Sequence, residues 1–436
     1  MVTPVIRYLW GDLTSAEMRK FSLLGGIFFL LIGAYWILRT QKDAVFDSLV
    51  GLSYQPKAKL LSWVVSIVLV LGYSKLVDSV GKRQLFIFLA AFFGALFLGV
   101  GACLAFAPFG FADSTQGPHR LFGWFIYVVI ESLGSLMVSL FWSFVTSTTS
   151  AASAKKGYPL IIAGSQSGAL LGSFCSWHSE WFGNALLFCL GAVALTLIAP
   201  MVFWYTRLVA THEATPAVAH YDKHKTGIWE GLRILLTRPY VGAILIVSTL
   251  YEVVTTILEF EMKVSARALY TTREAFASFN GMYGMYVNAL ALLFALLGTS
   301  FLMRRFGLRF CLILFPLITA VVVGGVYFVP TLGMLIVACM ATKGLGYALN
   351  NPAKEMMYIP TTPDIRFKAK SWIDQFGGKS FKAVGAGVNN AFGYSLQALL
   401  SYGTGISFGL IVMWIVCAAY VGSRFKQLTE KGEIIE

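Results

Sequence analysis

Twelve stretches of this 436-residue chain are long and apolar enough to cross a lipid bilayer, and that leaves few folds open to it. A hydrocarbon core takes about 20 apolar residues of helix. Such stretches fall near 21–40, 58–77, 85–108, 121–147, 157–178 and 183–206. They resume near 238–262, 276–302, 308–329, 331–350, 377–400 and 403–423. Backbone groups in lipid must be satisfied within their own segment, so each stretch is expected to be helical. The composition points the same way, with 57% hydrophobic and 13% charged residues. A soluble domain is about 45–50% apolar and ~25% charged, and its surface could not hold this excess of Leu, Phe and Val. The expectation is an all-α integral membrane protein.

The polar stretch between Arg207 and Arg238 divides the segments evenly. The expected organisation is an N-terminal six-helix half over 1–207, a cytoplasmic linker over 208–237 and a C-terminal six-helix half over 238–436. A faint repeat relates the halves. Lys-Leu-Val-Asp-Ser-Val-Gly-Lys-Arg (75–83) follows the second segment, and Met-Arg-Arg-Phe-Gly-Leu-Arg (303–309) follows the eighth. Each is a basic turn around a glycine at the same place in its unit. Secondary transporters are often built by such duplication, with a substrate site near the midplane. The first turn also resembles the loop between helices two and three of major-facilitator transporters.

The net charge of +13 sits in short segments between apolar runs, not on one basic face. A clustered face would be the footprint of nucleic-acid binding, so that function is excluded. Counted from a cytoplasmic N-terminus, the inward loops hold Lys82, Arg83, Lys155, Lys156, Arg304, Arg305 and Arg309. Lys354, Arg366, Lys368, Lys370, Arg424 and Lys426 follow on that side. Both termini are therefore expected in the cytoplasm. The first twenty residues, with Asp12 and Glu17 among them, read as neither a signal nor a transit peptide.

No pattern supports catalysis. The six cysteines suit neither a zinc site nor a disulfide scaffold, and the five histidines lack metal-ligand spacing. Gly-Gly-Lys-Ser (377–380) has the tail of a Walker motif, but Ile373 stands where its leading glycine belongs. Gly164, Gly168 and Gly172 read as a close-packing seam between helices. No enzyme activity, metal or cofactor is expected.

Ionisable side chains at membrane depth are costly and mark functional sites. Glu131 lies ten residues into the fourth segment, beside Ser132, Ser135, Ser139, Ser143 and Thr146 at helical spacing. That stripe either lines a cavity or glues two helices, and the carboxylate favours the cavity. Tyr35, Arg39 and Lys42 share one face at the end of the first segment, as a cationic site or as snorkelling anchors. In the second half, Glu259, Glu261 and Lys263 close the seventh segment. Lys343, Tyr347, Asn350 or Asn351, and Lys354 lie along the tenth; Lys379 and Lys382 open the eleventh, with Asn389 beyond them. Fixed Lys and Arg in a low-dielectric cavity suit a polyphosphate, through charge-assisted hydrogen bonds.

Several of these residues carry a resemblance. Leu-Arg-x-x-Lys-Asp (38–43), Tyr-Ser-Lys-Leu-Val-Asp (73–78), Glu-Ser-Leu-Gly-Ser (131–135) and Lys-Glu-Met-Met-Tyr-Ile-Pro (354–360) resemble motifs of the nucleotide transporter family. These are the ATP/ADP translocases of intracellular bacteria and plastids. The likeness implies a major-facilitator-like fold of about twelve transmembrane helices. It also implies ATP/ADP exchange by alternating access, with Lys42, Glu131, Glu259 and Lys382 as the charged residues that matter. Arg39, Lys379, Asn389 and Tyr347 complete the expected substrate-binding set. Tyr127, Trp142, Tyr283 or Tyr347 would read the base. The alternatives are a proton-coupled importer of nucleotides, NAD or another organic anion, and a non-transporting scaffold or receptor. The expected setting is a bacterial inner membrane, with lipid and nucleotide as partners and a monomer favoured. The chain departs from the family pattern at Val-Gly-Leu-Ser-Tyr-Gln-Pro-Lys-Ala-Lys (50–59) and at Leu-Glu-Phe-Glu-Met-Lys (258–263).

Overall fold

The computed structural model describes residues 14–149, 151–209, 228–297, 299–346, 350–362, 365, 369–393 and 395–435. Helix occupies each expected apolar segment. In order these are α1 (Ser15–Leu49), α2 (Gln55–Val80), α3 (Lys82–Phe106), α4 (Leu121–Ser147), α5 (Ala151–Trp177) and α6 (Asn184–Leu208). Then come α7 (Pro239–Leu269), α8 (Arg273–Leu297), α9 (Phe306–Phe328), α10 (Leu332–Leu345), α11 (Gly378–Phe392) and α12 (Leu396–Lys431). Among the described residues, seven helices meet the length and hydropathy of a membrane span: α1, α3, α4, α6, α7, α9 and α12. Most of the expected linker, 210–227, lies outside the described residues.

Local chemistry sets several boundaries. Thr14 and Glu17 form a reciprocal capping box at the start of α1, satisfying two backbone donors that a helix start leaves open. The eleventh segment ends earlier than its hydropathy suggests. α11 stops at Phe392, and α12 begins at Leu396, where Ser395 caps it by accepting from the Ala398 amide at 3.0 Å. The two repeat turns adopt one conformation: Gly81 has φ 85° and Gly307 has φ 77°, a region open mainly to glycine.

The chain forms two compact units. One comprises residues 1–219 with Tyr270–Asn288; the other comprises His220–Leu269 with Ala289–Glu436. In the first, α1 is the central helix. It meets α5 along the glycine seam, where a Cβ at Gly164 would lie 2.5 Å from the Gly25 carbonyl oxygen. Gly168 and Gly172 meet the carbonyls of Phe29 and Gly33 in the same way. An aromatic core backs this seam, with Phe28 stacked on Phe141 at 4.2 Å. In the second unit, α7 packs on α10 and α11, and α9 on α12. Tyr251, Phe315 and Trp414 form its aromatic centre. Short helical pieces precede α11: Asn351–Met357, Lys370–Trp372 and a π-helical turn over Ile373–Gly377. Gly377–Ser380 is thus helical, which rules out a phosphate-cradling loop there.

Candidate substrate site

The C-terminal half of α1 buries a run of polar side chains: Gln41, Lys42, Asp43 and Asp47 are all 6% exposed or less. In an apolar helix this is tolerable only with partners supplied, and they come from four directions. Lys42 forms an ion pair with Glu131 of α4, lies 3.7 Å from Asp43 Oδ1, and sits over the ring of Tyr127 at 4.1 Å. Gln55 Nε2 donates to Asp43 at 2.6 Å, and the Leu52 amide donates to Asp47 at 3.0 Å. Asn184 Nδ2 donates to Gln41 at 2.6 Å, and Arg273 Nε donates to Asn184 at 3.1 Å. Lys42 therefore does not snorkel. Its ammonium is held inside the unit by a carboxylate, a second carboxylate and an aromatic face, each of which favours the cation.

Glu131 is only partly enclosed, with about a third of its side chain exposed. Arg39, one turn before Lys42, is half-buried and covers the rings of Tyr35 and Trp36. Three hydroxyls of the α4 stripe are satisfied locally. Ser132, Ser135 and Thr146 donate to the carbonyls of Val128, Glu131 and Trp142 in their own helix. Among the expected base-reading aromatics, Tyr127 and Tyr283 are buried, while Trp142 is half-buried against Tyr158 at 5.2 Å.

The second unit holds a matching pair of opposite polarity. Glu259 of α7 pairs with Lys343 of α10, and both side chains are about nine-tenths buried. In the first unit the cation is on the first helix and the carboxylate on the fourth. Here the carboxylate is on the corresponding first helix and the cation on the fourth. Lys343 was not in the expected binding set, although its sequence signal was plain: one ammonium in the apolar run Leu-Gly-Met-Leu-Ile-Val-Ala-Cys-Met-Ala-Thr-Lys.

The remaining expected residues are dispersed in roles. Lys382 is half-exposed, 3.5 Å from Glu252, and Lys379 is half-buried in the first turn of α11. Asn389 is buried and donates to the Thr256 carbonyl at 3.0 Å, tying α11 to α7. Tyr347 lies outside the described residues. The long motif at 354–360 forms a crosswise clamp: Lys354 pairs with Asp374, and Lys370 with Glu355 at 2.5 Å.

A family model described as "TLC ATP/ADP transporter" matches residues 2–107, 119–335 and 331–425. The chain is 24% identical to ADP,ATP carrier protein 1 of Rickettsia prowazekii (strain Madrid E), over 96% of this chain and 95% of that one. It is 26% identical to the plastidic ATP/ADP-transporter of Solanum tuberosum, over 96% and 75%. Among solved structures, a bacterial homologue of the iron transporter ferroportin in an inward-facing state superposes with TM-score 0.67 and 13% identity, over 94% and 100%. The nucleoside transporter NupG superposes with TM-score 0.62 and 13% identity, over 93% and 99%. At that identity the likeness establishes the fold alone: an all-α membrane fold of the major-facilitator type.

Proposed function

The chain belongs to the TLC ATP/ADP transporter family, and from that premise we propose that this multi-pass membrane protein carries nucleotides, exchanging ATP for ADP by alternating access. The observation that supports the reading most is the buried Lys42–Glu131 pair. A membrane protein gains little stability from a buried ion pair compared with an apolar core. A phosphate, however, competes with Glu131 for the Lys42 ammonium. The partly exposed carboxylate can be released to water, while the buried lysine keeps an anionic partner in the ligand. Such an exchange of partners gives the substrate differential affinity for one arrangement, which a conformational switch requires. The Glu259–Lys343 pair sets a second ammonium in the second half, there with both partners buried, and half-exposed Lys382 with Lys379 adds cationic contacts for the polyphosphate. Trp142, half-buried where Tyr127 and Tyr283 are buried, is the aromatic assigned to stack on the base, about three helical turns from Glu131.

This reading puts the protein, as a monomer of two six-helix halves, in a bacterial inner membrane with both termini inside. The test is uptake of labelled ATP by proteoliposomes preloaded with ADP or left empty, with ADP, GTP, CTP, UTP and NAD as competitors. Uptake that requires internal adenine nucleotide, and that only ADP and ATP suppress, is the expected result. Equal uptake into empty vesicles, or none under either condition, removes the exchange reading.

A further inference from the structure

One buried charge-bearing group has no part in the phosphate site. Glu261 lies two residues beyond Glu259 on α7, so it points to a different face of the helix. It is fully buried, and neither carboxyl oxygen has a hydrogen-bond partner among the described residues. It packs on α12 at a π-helical turn, Leu399–Gly403. The carboxyl fits there because the facing residue is glycine: a Cβ on Gly403 would lie 2.8 Å from Glu261 Oε1. The next α12 hydroxyls, Thr404 Oγ1 and Ser407 Oγ, are also buried and unpartnered among the described residues.

The titratable groups around it are few. Glu259 and Lys263 share its helix, and α10 brings Cys339 and Lys343, which lie in the same electrostatic neighbourhood. Lys343 is engaged by Glu259. The α12 stretch 399–407 carries no charged side chain. α11 meets α7 through Asn389, with Lys379 and Lys382 at its other end. An ionised carboxylate without a donor or counter-charge is costly in such a place, whereas the neutral acid is tolerated. A π-turn is a local defect in helical register and recurs at functional sites.

We infer that Glu261 is a proton-binding site linked to the transport cycle. Its carboxyl holds a proton while the π-turn of α12 covers it. When that turn withdraws and water enters, the O–H bond breaks, the proton passes to water and the carboxylate remains. Reclosure requires a proton to be taken up again. The inference rests on the nucleotide-exchange reading; because every closing needs the protonated acid, a proton crosses with each transit and the exchange carries no net proton.

The test uses the full-length protein in proteoliposomes, with nucleotide counterflow measured at equal pH on both sides over a series of pH values. A single proton needed for closing lowers the rate by up to about tenfold per pH unit on the alkaline side of its titration. Wild type is expected to show that fall, while Glu261→Gln keeps counterflow at a rate that no longer falls with rising pH. A wild type indifferent to pH, or a Glu261→Gln variant as pH-dependent as wild type, overturns the proposal. Should Glu261→Gln lack counterflow, Glu261→Asp decides: a pH profile displaced from that of wild type supports the proposal and an identical profile, or loss of counterflow, overturns it. No counterflow in wild type overturns the nucleotide reading itself, and this inference with it.

Discussion

Lys42 and Glu131 form an ion pair whose ends differ tenfold in exposure, 3% for the lysine side chain and 35% for the glutamate. The asymmetry decides what each substitution leaves behind. Glu131→Gln strands an ammonium in the interior of α1 and α4, and breaking such a pair costs about 3–5 kcal/mol. Partial hydration at the glutamate end and the nearby Asp43 place the loss toward the lower figure. Lys42→Met combined with Glu131→Gln removes the stranded charge, so the double variant is expected to be more stable than Glu131→Gln alone. A double-mutant cycle on thermal unfolding in detergent reads this as a coupling of about 1–3 kcal/mol. Additive effects would mean that the two side chains do not interact. Both variants should lose ATP uptake.

The reversed polarity of Glu259 and Lys343 supplies a second test. Each single reversal, Glu259→Lys or Lys343→Glu, puts two like charges together in a buried site and should abolish folded expression or uptake. The double reversal restores opposite charges, in the order found between α1 and α4. Recovery of folded protein in the double variant is the expected outcome, judged by monodisperse elution in detergent. Singles that fold as well as wild type would remove the pair from the structure's support.

Lys382 separates binding from stability. Its side chain is half-exposed, and an exposed ion pair with Glu252 contributes about 0–1 kcal/mol. Lys382→Ala should therefore unfold within about 0.5 kcal/mol of wild type while labelled ATP uptake falls at least about tenfold, the loss of one charge-assisted contact of about 1.4 kcal/mol. Full uptake in Lys382→Ala would remove its phosphate role. Asn389→Ala should do the reverse. It frees the buried Thr256 carbonyl and costs about 1–3 kcal/mol of stability, with apparent affinity for ATP unchanged in whatever fraction stays folded.

Hydropathy made the helices legible because the bilayer imposes one length on every span, and the glycines at 164, 168 and 172 gave away the α1–α5 contact by their spacing. Lys42 and Glu131 stood out because charges in an apolar run need a reason to be there. Partner choice was not legible. Spacing along one helix fixes a face but not which face of another helix it meets, so the pairing of Glu259 with Lys343 of α10 could not be read from it. Asn389 shares a face with Lys382 in sequence, and what spacing could not show is that its Nδ2 donates to a carbonyl of α7. The break before α12 was hidden for another reason. A glycine, a tyrosine and a serine at 393–395 hardly lower the local hydropathy, and the helix ends there through capping, not through polarity.

The glycine seam makes the most direct claim on packing. At Gly168 an added methyl would fall on the Phe29 carbonyl of α1, and backbone cannot step aside as a flexible side chain can. Gly168→Ala should therefore separate α1 from α5 and cost about 1–3 kcal/mol. Because α1 carries Lys42, the shift should also weaken ATP uptake without touching a charged residue. Gly99→Ala is the matched comparison. That glycine lies within α3 with open space where the methyl would go, so the change should be neutral or stabilise the helix by up to about 1 kcal/mol. Thermal unfolding of the two variants beside wild type checks both signs at once. Equal stability of Gly168→Ala and Gly99→Ala would show that the helices do not meet at backbone distance, and the placement of Lys42 opposite Glu131 would lose its foundation.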